Sequence, residues 1–209
     1  SIVAANYIGT DPSGEEARPN AVGVFVSGSG LLGFPPEDDA EFSLAFIRTW
    51  GNVIAGNEES GVLVSPINGD DTPEAVLIGN RIGLSASGKS LPNGTSFEPI
   101  PEMETGGGVA VIGALSEADF IWNEISGNEG DGVINAGGEV SLVYNAIGTA
   151  FGEQLGDPLP NTRDGVRVYD GVLLAGEYPG EGPLTSNLVA NQIALNGRHG
   201  IAADSSAIV

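Results

Sequence analysis

The residues able to do chemistry are mostly acids. Asp38 and Asp39, flanked by Glu37 and Glu41, form one acidic cluster, and Asp70 and Asp71, close to Glu74, form another. Clusters of hard oxygen ligands suit weak Ca²⁺ binding, so these four aspartates are the candidate metal ligands and Ca²⁺ the one candidate cofactor. Neither spacing matches an EF-hand loop, and solubilising charge is the better account of both clusters. Glycoside hydrolysis needs two placed carboxyl groups, but acids are too abundant here for any one pair to stand out. Cleavage of a uronate polymer needs Arg or Lys to neutralise the acid and to take a proton. Arg163 and Arg167 are the closest basic pair, with Asp164 and Asp170 beside them; Arg18, Arg48, Arg81, Lys89 and Arg198 are scattered. A solvated outer face explains that group at least as well. His199, the lone histidine, occupies the slot held by Ser60 and Asp131 in equivalent turns, which reads as a variable turn. The expectation is therefore no catalytic residue. Trp50, Trp122, Tyr144, Tyr169 and Tyr178 are candidates for stacking on sugars, but Trp122 and Tyr144 stand next to repeated asparagines and read as packing residues.

Composition narrows the field further. Seven Lys+Arg against 28 Asp+Glu give a net charge of −21. Nucleic acid and anionic lipid both require cationic neutralisation, so neither is an expected partner. An apolar fraction of 41% sets the chain apart from disordered acidic sequences. It contains no Cys, so disulfides, thiol catalysis and Cys-based metal sites are excluded. No apolar run approaches the ~20 residues of a membrane-spanning helix. Ser1 is not a natural initiator, so the chain reads as processed or excerpted.

What must position any site is a repeat. Six segments share one frame: Asn6-Tyr7-Ile8-Gly9, Asn52-Val53-Ile54-Ala55-Gly56-Asn57, Asn80-Arg81-Ile82-Gly83, Asn123-Glu124-Ile125-Ser126-Gly127-Asn128, Asn145-Ala146-Ile147-Gly148 and Asn191-Gln192-Ile193-Ala194-Leu195-Asn196. Two forms alternate, Asn-x-Ile-Gly and Asn-x-Ile-x-x-Asn, and Gly-Val or Gly-Ile follows each: Gly23-Val24, Gly61-Val62, Gly108-Val109, Gly132-Val133, Gly165-Val166 and Gly200-Ile201. Short strands such as Val62-Leu63-Val64 carry apolar residues on one face. The six isoleucines are expected to stack along one interior line at the ~4.8 Å strand spacing. The asparagines are expected to turn corners and pair their amides between coils. No stretch holds a helical period over three turns, which disfavours a βα repeat. The expected fold is all-β, a right-handed parallel β-helix of about six coils with long insertions near residues 10–22, 31–46, 84–107, 149–164 and 171–186, in a single domain over 1–209.

Asn-x-Ile-Gly-Thr with a polar loop and Gly-Val, alternating with Asn-x-Ile-x-Gly-Asn, resembles the parallel β-helix repeats of large secreted or surface-anchored bacterial proteins. The resemblance covers nearly the whole chain and implies an extracellular or cell-surface location. β-helices also host pectate lyases, polygalacturonases and adhesins, so the resemblance speaks for fold more than for function. Arg198-His199-Gly200 is only partly similar to the Gly-His-Gly element of polygalacturonases, and the aspartates that accompany it there are not identifiable.

Both ends fall within a coil. Residues 200–209 joined to residues 1–5 of another copy make a coil of fifteen residues, against thirteen from Gly132 to the residue before Asn145, and the alternation of forms survives the join. The expected function is a non-catalytic structural protein, either a filament subunit stacking head to tail with itself or a stalk segment continued by flanking parts of a longer chain. The alternative is a carbohydrate-binding or polysaccharide-degrading β-helix protein, with glycans as partners.

Overall fold

The computed structural model describes residues 1–33, 51–95, 106–151, 159–176 and 191–204. These residues form strands and turns, with no helix among them. Six passes of chain follow one another. The first contains β1 (Ile2–Val3), β2 (Tyr7–Ile8) and β3 (Val24–Val26), and runs on into β4 (Ser29–Leu32). The second contains β5 (Val53–Ile54), β6 (Ser60–Val64) and β7 (Glu74–Ile78); the third, β8 (Arg81–Ile82), β9 (Gly107–Ile112) and β10 (Glu117–Ile121). The last three hold β11 (Glu124–Ile125) and β12 (Asp131–Val143), β13 (Ala146–Ile147) and β14 (Val166–Ala175), and β15 (Gln192–Ile193) and β16 (Ile201–Ala203).

All strand pairs are parallel, in two sheets. The smaller sheet runs β2-β5-β8-β11-β13-β15, one strand from each pass in chain order. The larger has ten strands and curls, because β12 pairs with β9 through its first half and with β10 through its second. That bend is made by Ala136, Gly137 and Gly138, where the register of β12 against β14 shifts.

The core follows from the register. Ile8, Ile54, Ile82, Ile125, Ile147 and Ile193 lie opposite one another across the small sheet, the middle four fully buried. Val24, Val62, Val109, Val133, Val166 and Ile201 form a second line. Leu32, Leu77, Phe120 and Leu142 form a third and close the interior from the far side. Each line places like on like, so burial recurs at every pass; at ~25 cal/mol per Å² this is the main stabilising term. Leu31 and Leu32, expected at the start of an insertion, are strand, with Leu32 in the core; residues 171–175 likewise continue β14. The remainder of the 31–46 insertion that the structure describes is Gly33.

Candidate functional site

The asparagines make two ladders. In the first, the backbone N–H and Nδ2–H of Asn6 both donate to Asn52 Oδ1 (3.1 and 3.2 Å), and the pattern repeats through Asn80, Asn123, Asn145 and Asn191. The remaining Nδ2 hydrogen is used as well: Asn123 donates to Leu77 O, and Asn145 to Phe120 O. The second ladder contains Asn57, Asn128 and Asn196, and alternating with them three residues outside the Asn-x-Ile frame, Asn20, Asn93 and Asn161. Each of these three follows a proline, Pro19, Pro92 or Pro160, at the end of a polar excursion of variable length. Pro-Asn before Gly-Val was the available signal.

The residue just before the repeated glycine builds a third column. Asp131 stacks under Asp164, and Asp164 under His199. Asp131 Oδ1 accepts the backbone N–H of Asp164 at 2.8 Å. Asp164 Oδ1 accepts the backbone N–H of His199 at 3.0 Å and lies 2.7 Å from His199 Nδ1. Arg167 spans the outer side, 3.7 Å from Asp164 Oδ2 and 2.9 Å from Asp204, with its guanidinium over the ring of Tyr169. Asp131 and Asp164 are both buried, while His199 and Arg198 are exposed. Burial foremost, with the nearby Asp164 charge, pushes the Asp131 carboxyl up to about 6 against the lowering pull of the Asp164 N–H and of Arg167 and Arg198.

Of the four residues singled out as a basic and acidic group, the structure joins Asp164 and Arg167, leaves Asp170 exposed, and draws in His199 and Asp131 instead. Asp164 therefore does not belong to a solvated face. Chemically, the column offers a carboxyl group in two hydrogen-bond contacts with His199 and an ion pair with Arg167, a second carboxyl of raised pKa, and an exposed imidazole. A polymer docking at the surface reaches His199 and Arg198 but neither carboxylate.

Asp38 and Asp39 lie outside the described residues. Asp71 accepts from the backbone and side chain of Asn68 and closes its own turn (2.8 and 3.2 Å), while Asp70 is exposed. Among the described residues no group of three or more His, Cys, Asp or Glu is placed to hold a metal ion. Trp122 and Tyr144 stack on each other, centroids 5.0 Å apart. Both stand just before a ladder asparagine with positive φ, so the ring stack offsets a backbone conformation unusual for a side chain of that size. Trp50 and Tyr178 fall outside the described residues.

No protein family, curated protein or solved structure matches this chain.

Proposed function

We propose that the chain is a right-handed parallel β-helix whose role is structural, as a filament subunit or a segment of an extracellular or surface scaffold. The observation that carries this reading is the pair of asparagine ladders, each passing through all six passes with every amide pointing the same way. Such ladders fix the register of one coil on the next and add hydrogen bonds with each repeat, which suits a rod rather than a cleft. The handedness follows the rule for parallel crossover connections. The resemblance to secreted repeat proteins and the net charge of −21 support an extracellular setting, where an acidic coat keeps a long particle dispersed.

A second reading, binding or cleavage of an acidic polysaccharide, is favoured by one feature: Arg163, Arg167, Arg198 and His199 gather at one corner of an otherwise acidic protein. Electron microscopy of the purified chain with and without Ca²⁺, paired with a panel of uronate and neutral glycans, separates the two. Rods or extended particles without glycan binding support the scaffold. Discrete particles that bind or shorten a uronate polymer overturn it, and a change with Ca²⁺ returns attention to Asp70 and Asp71.

A further inference from the structure

An asparagine followed by glycine is the dipeptide in which a side-chain amide is most readily lost. Glycine sets no side chain over its own backbone nitrogen, so that nitrogen can reach the Cγ of the asparagine. The chain has three such dipeptides, Asn68-Gly69, Asn93-Gly94 and Asn196-Gly197. The reaction needs a glycine N–H that is not donating, an asparagine side chain able to rotate, and water.

The second ladder holds two of the three. Asn93 is fully buried; its Nδ2 donates to Ile54 O and to Asn128 Oδ1, both at 3.0 Å, and its Oδ1 accepts from Asn57. The Gly94 N–H donates to Asn57 O at 3.1 Å. Asn196 Nδ2 donates to Ile147 O and Ala194 O at 3.2 and 3.3 Å, and the Gly197 N–H donates to Asn161 O at 2.9 Å. Either glycine nitrogen becomes a nucleophile only when one pass opens from the next, an event that is rare in well-packed strands.

Asn68 is placed differently. It stands in the turn between β6 and β7, outside both ladders, and Asn68, Gly69 and Asp70 are all exposed. The Asp71 N–H closes this turn on Asn68 O at 3.1 Å, while the Gly69 N–H donates to no group among the described residues. Beyond the adjacent residues, a Cβ added at Gly69 would meet nothing within 4 Å. One residue restrains Asn68: Asp71 Oδ2 accepts its backbone N–H at 2.8 Å and its Nδ2–H at 3.2 Å.

We infer that Asn68 is a site of spontaneous modification, converted through a succinimide to aspartate and isoaspartate, and that Asp71 sets the rate. The Gly69 nitrogen gives its proton to solvent base and attacks Asn68 Cγ. A C–N bond forms, the Cγ–Nδ2 bond breaks, and Nδ2 takes a proton from water and leaves as ammonia. Water then adds to either ring carbonyl and a ring C–N bond breaks, which leaves the chain linked through the backbone carbonyl (aspartate) or through Cγ (isoaspartate). No oxidant or cofactor takes part. Asp71 slows the first step, because it holds the side-chain amide and its charge opposes the oxyanion that forms at Cγ. The product sets a third carboxylate beside Asp70 and Asp71, and isoaspartate lengthens the backbone where β6 turns into β7.

The test incubates the whole chain at mildly alkaline pH and body temperature, folded in buffer and unfolded in guanidinium chloride. Incubation lasts until the unfolded sample has converted half of its Asn-Gly dipeptides. Peptide mass spectrometry reads amide loss at each asparagine, and electron-transfer fragmentation tells isoaspartate from aspartate. The inference expects Asn68 to convert in both samples, and Asn93 and Asn196 only in the unfolded one. Gly69→Ala, whose methyl has open space, abolishes conversion in the folded protein. Asp71→Ala speeds it about fivefold, the factor carried by one net hydrogen bond. Circular dichroism checks that both variants keep their strands. Asn68 left intact in the folded chain overturns the inference, and so does conversion of Asn93 or Asn196 as fast as Asn68 there. Unchanged conversion in Gly69→Ala contradicts the ring, and an unchanged or lower rate in Asp71→Ala contradicts the role given to Asp71.

Discussion

Asp164 Oδ1 makes two hydrogen bonds with one residue, accepting the backbone N–H of His199 at 3.0 Å and sharing a hydrogen with its ring Nδ1 at 2.7 Å. The same carboxyl group meets Arg167 through its other oxygen. One buried acid thus fastens the sixth pass to the fifth at a corner where the strands themselves are short.

Removing that acid is expected to loosen the sixth pass selectively. Asp164→Ala should lower stability by about 1–3 kcal/mol, because it leaves the His199 N–H without its acceptor and takes from Arg167 one of its two acidic partners. Asp164→Asn, which keeps an acceptor, should cost about half as much. Hydrogen exchange read residue by residue checks the location: Ile201, Ala202 and Ala203 lose protection first, while Val62 and Val109 keep theirs.

The Asp131 carboxyl predicts a pH dependence. Its value is raised from 3.8 to about 6, so the folded chain holds this proton more tightly than the unfolded chain. The stability this group contributes is present below 3.8 and is lost as the pH rises through about 6. Asp131→Asn keeps Oδ1 as the acceptor for the Asp164 N–H and cannot ionise. It should gain up to about 3 kcal/mol at pH 7.5 and little at pH 4, measured by urea unfolding at both values. An equal gain at the two values would assign the effect to packing.

Arg81 and Glu124 form a largely buried pair on the outer side of the small sheet, Nε to Oε2 at 2.8 Å, and Glu124 Oε1 also accepts the Phe151 N–H at 3.1 Å. Truncating one partner leaves a buried charge uncompensated. Arg81→Ala should cost about 3–5 kcal/mol, and Arg81→Met with Glu124→Leu should restore most of that loss. Thermal unfolding of the single and double variants reads the difference.

The corner before the second ladder predicts a gain. Gly56, Gly127 and Leu195 all stand there with positive φ (74°, 72° and 61°), and at the intervening passes Pro19, Pro92 and Pro160 take the place. Leu195 is 49% exposed, so its side chain buries little. Leu195→Gly should raise stability by about 1 kcal/mol. Gly56→Ala should lower it, since the new methyl would sit 2.8 Å from the Ala17 methyl and from Gly9 O.

The Asn-x-Ile frame was legible because each copy repeats the same residue types at the same spacing, and the interior isoleucine line follows from that alone. Asn20, Asn93 and Asn161 were not read as ladder members because excursions of unequal length separate them from the motif, and a period sought from the first asparagine slips past them. Counting backwards from Gly23, Gly108 and Gly165 would have helped only in part, since the distance to the asparagine varies there too. The Asp131-Asp164-His199 column escaped notice for a different reason. Equivalent turns of one repeat form lie two passes apart, whereas the residue before the glycine stacks on its neighbour of the other form. The turn at Ala136–Gly138 leaves no periodic trace, because β12 passes through it as one strand.

The central claim is that successive passes lie in parallel register, and a cysteine pair tests it most directly, since the chain has no Cys of its own. Val76 and Asp119 are opposed on β7 and β10, both partly exposed, although 43 residues apart; Asp119 is opposed in turn to Ser141 on β12. Neighbouring parallel strands lie about 4.8 Å apart, within disulfide reach, and strands two apart do not. Mild oxidation of Val76→Cys with Asp119→Cys should close an intramolecular disulfide in nearly every molecule and raise the Tm, while Val76→Cys with Ser141→Cys should stay reduced. A disulfide in the second protein and none in the first would contradict the stacking on which the whole account depends.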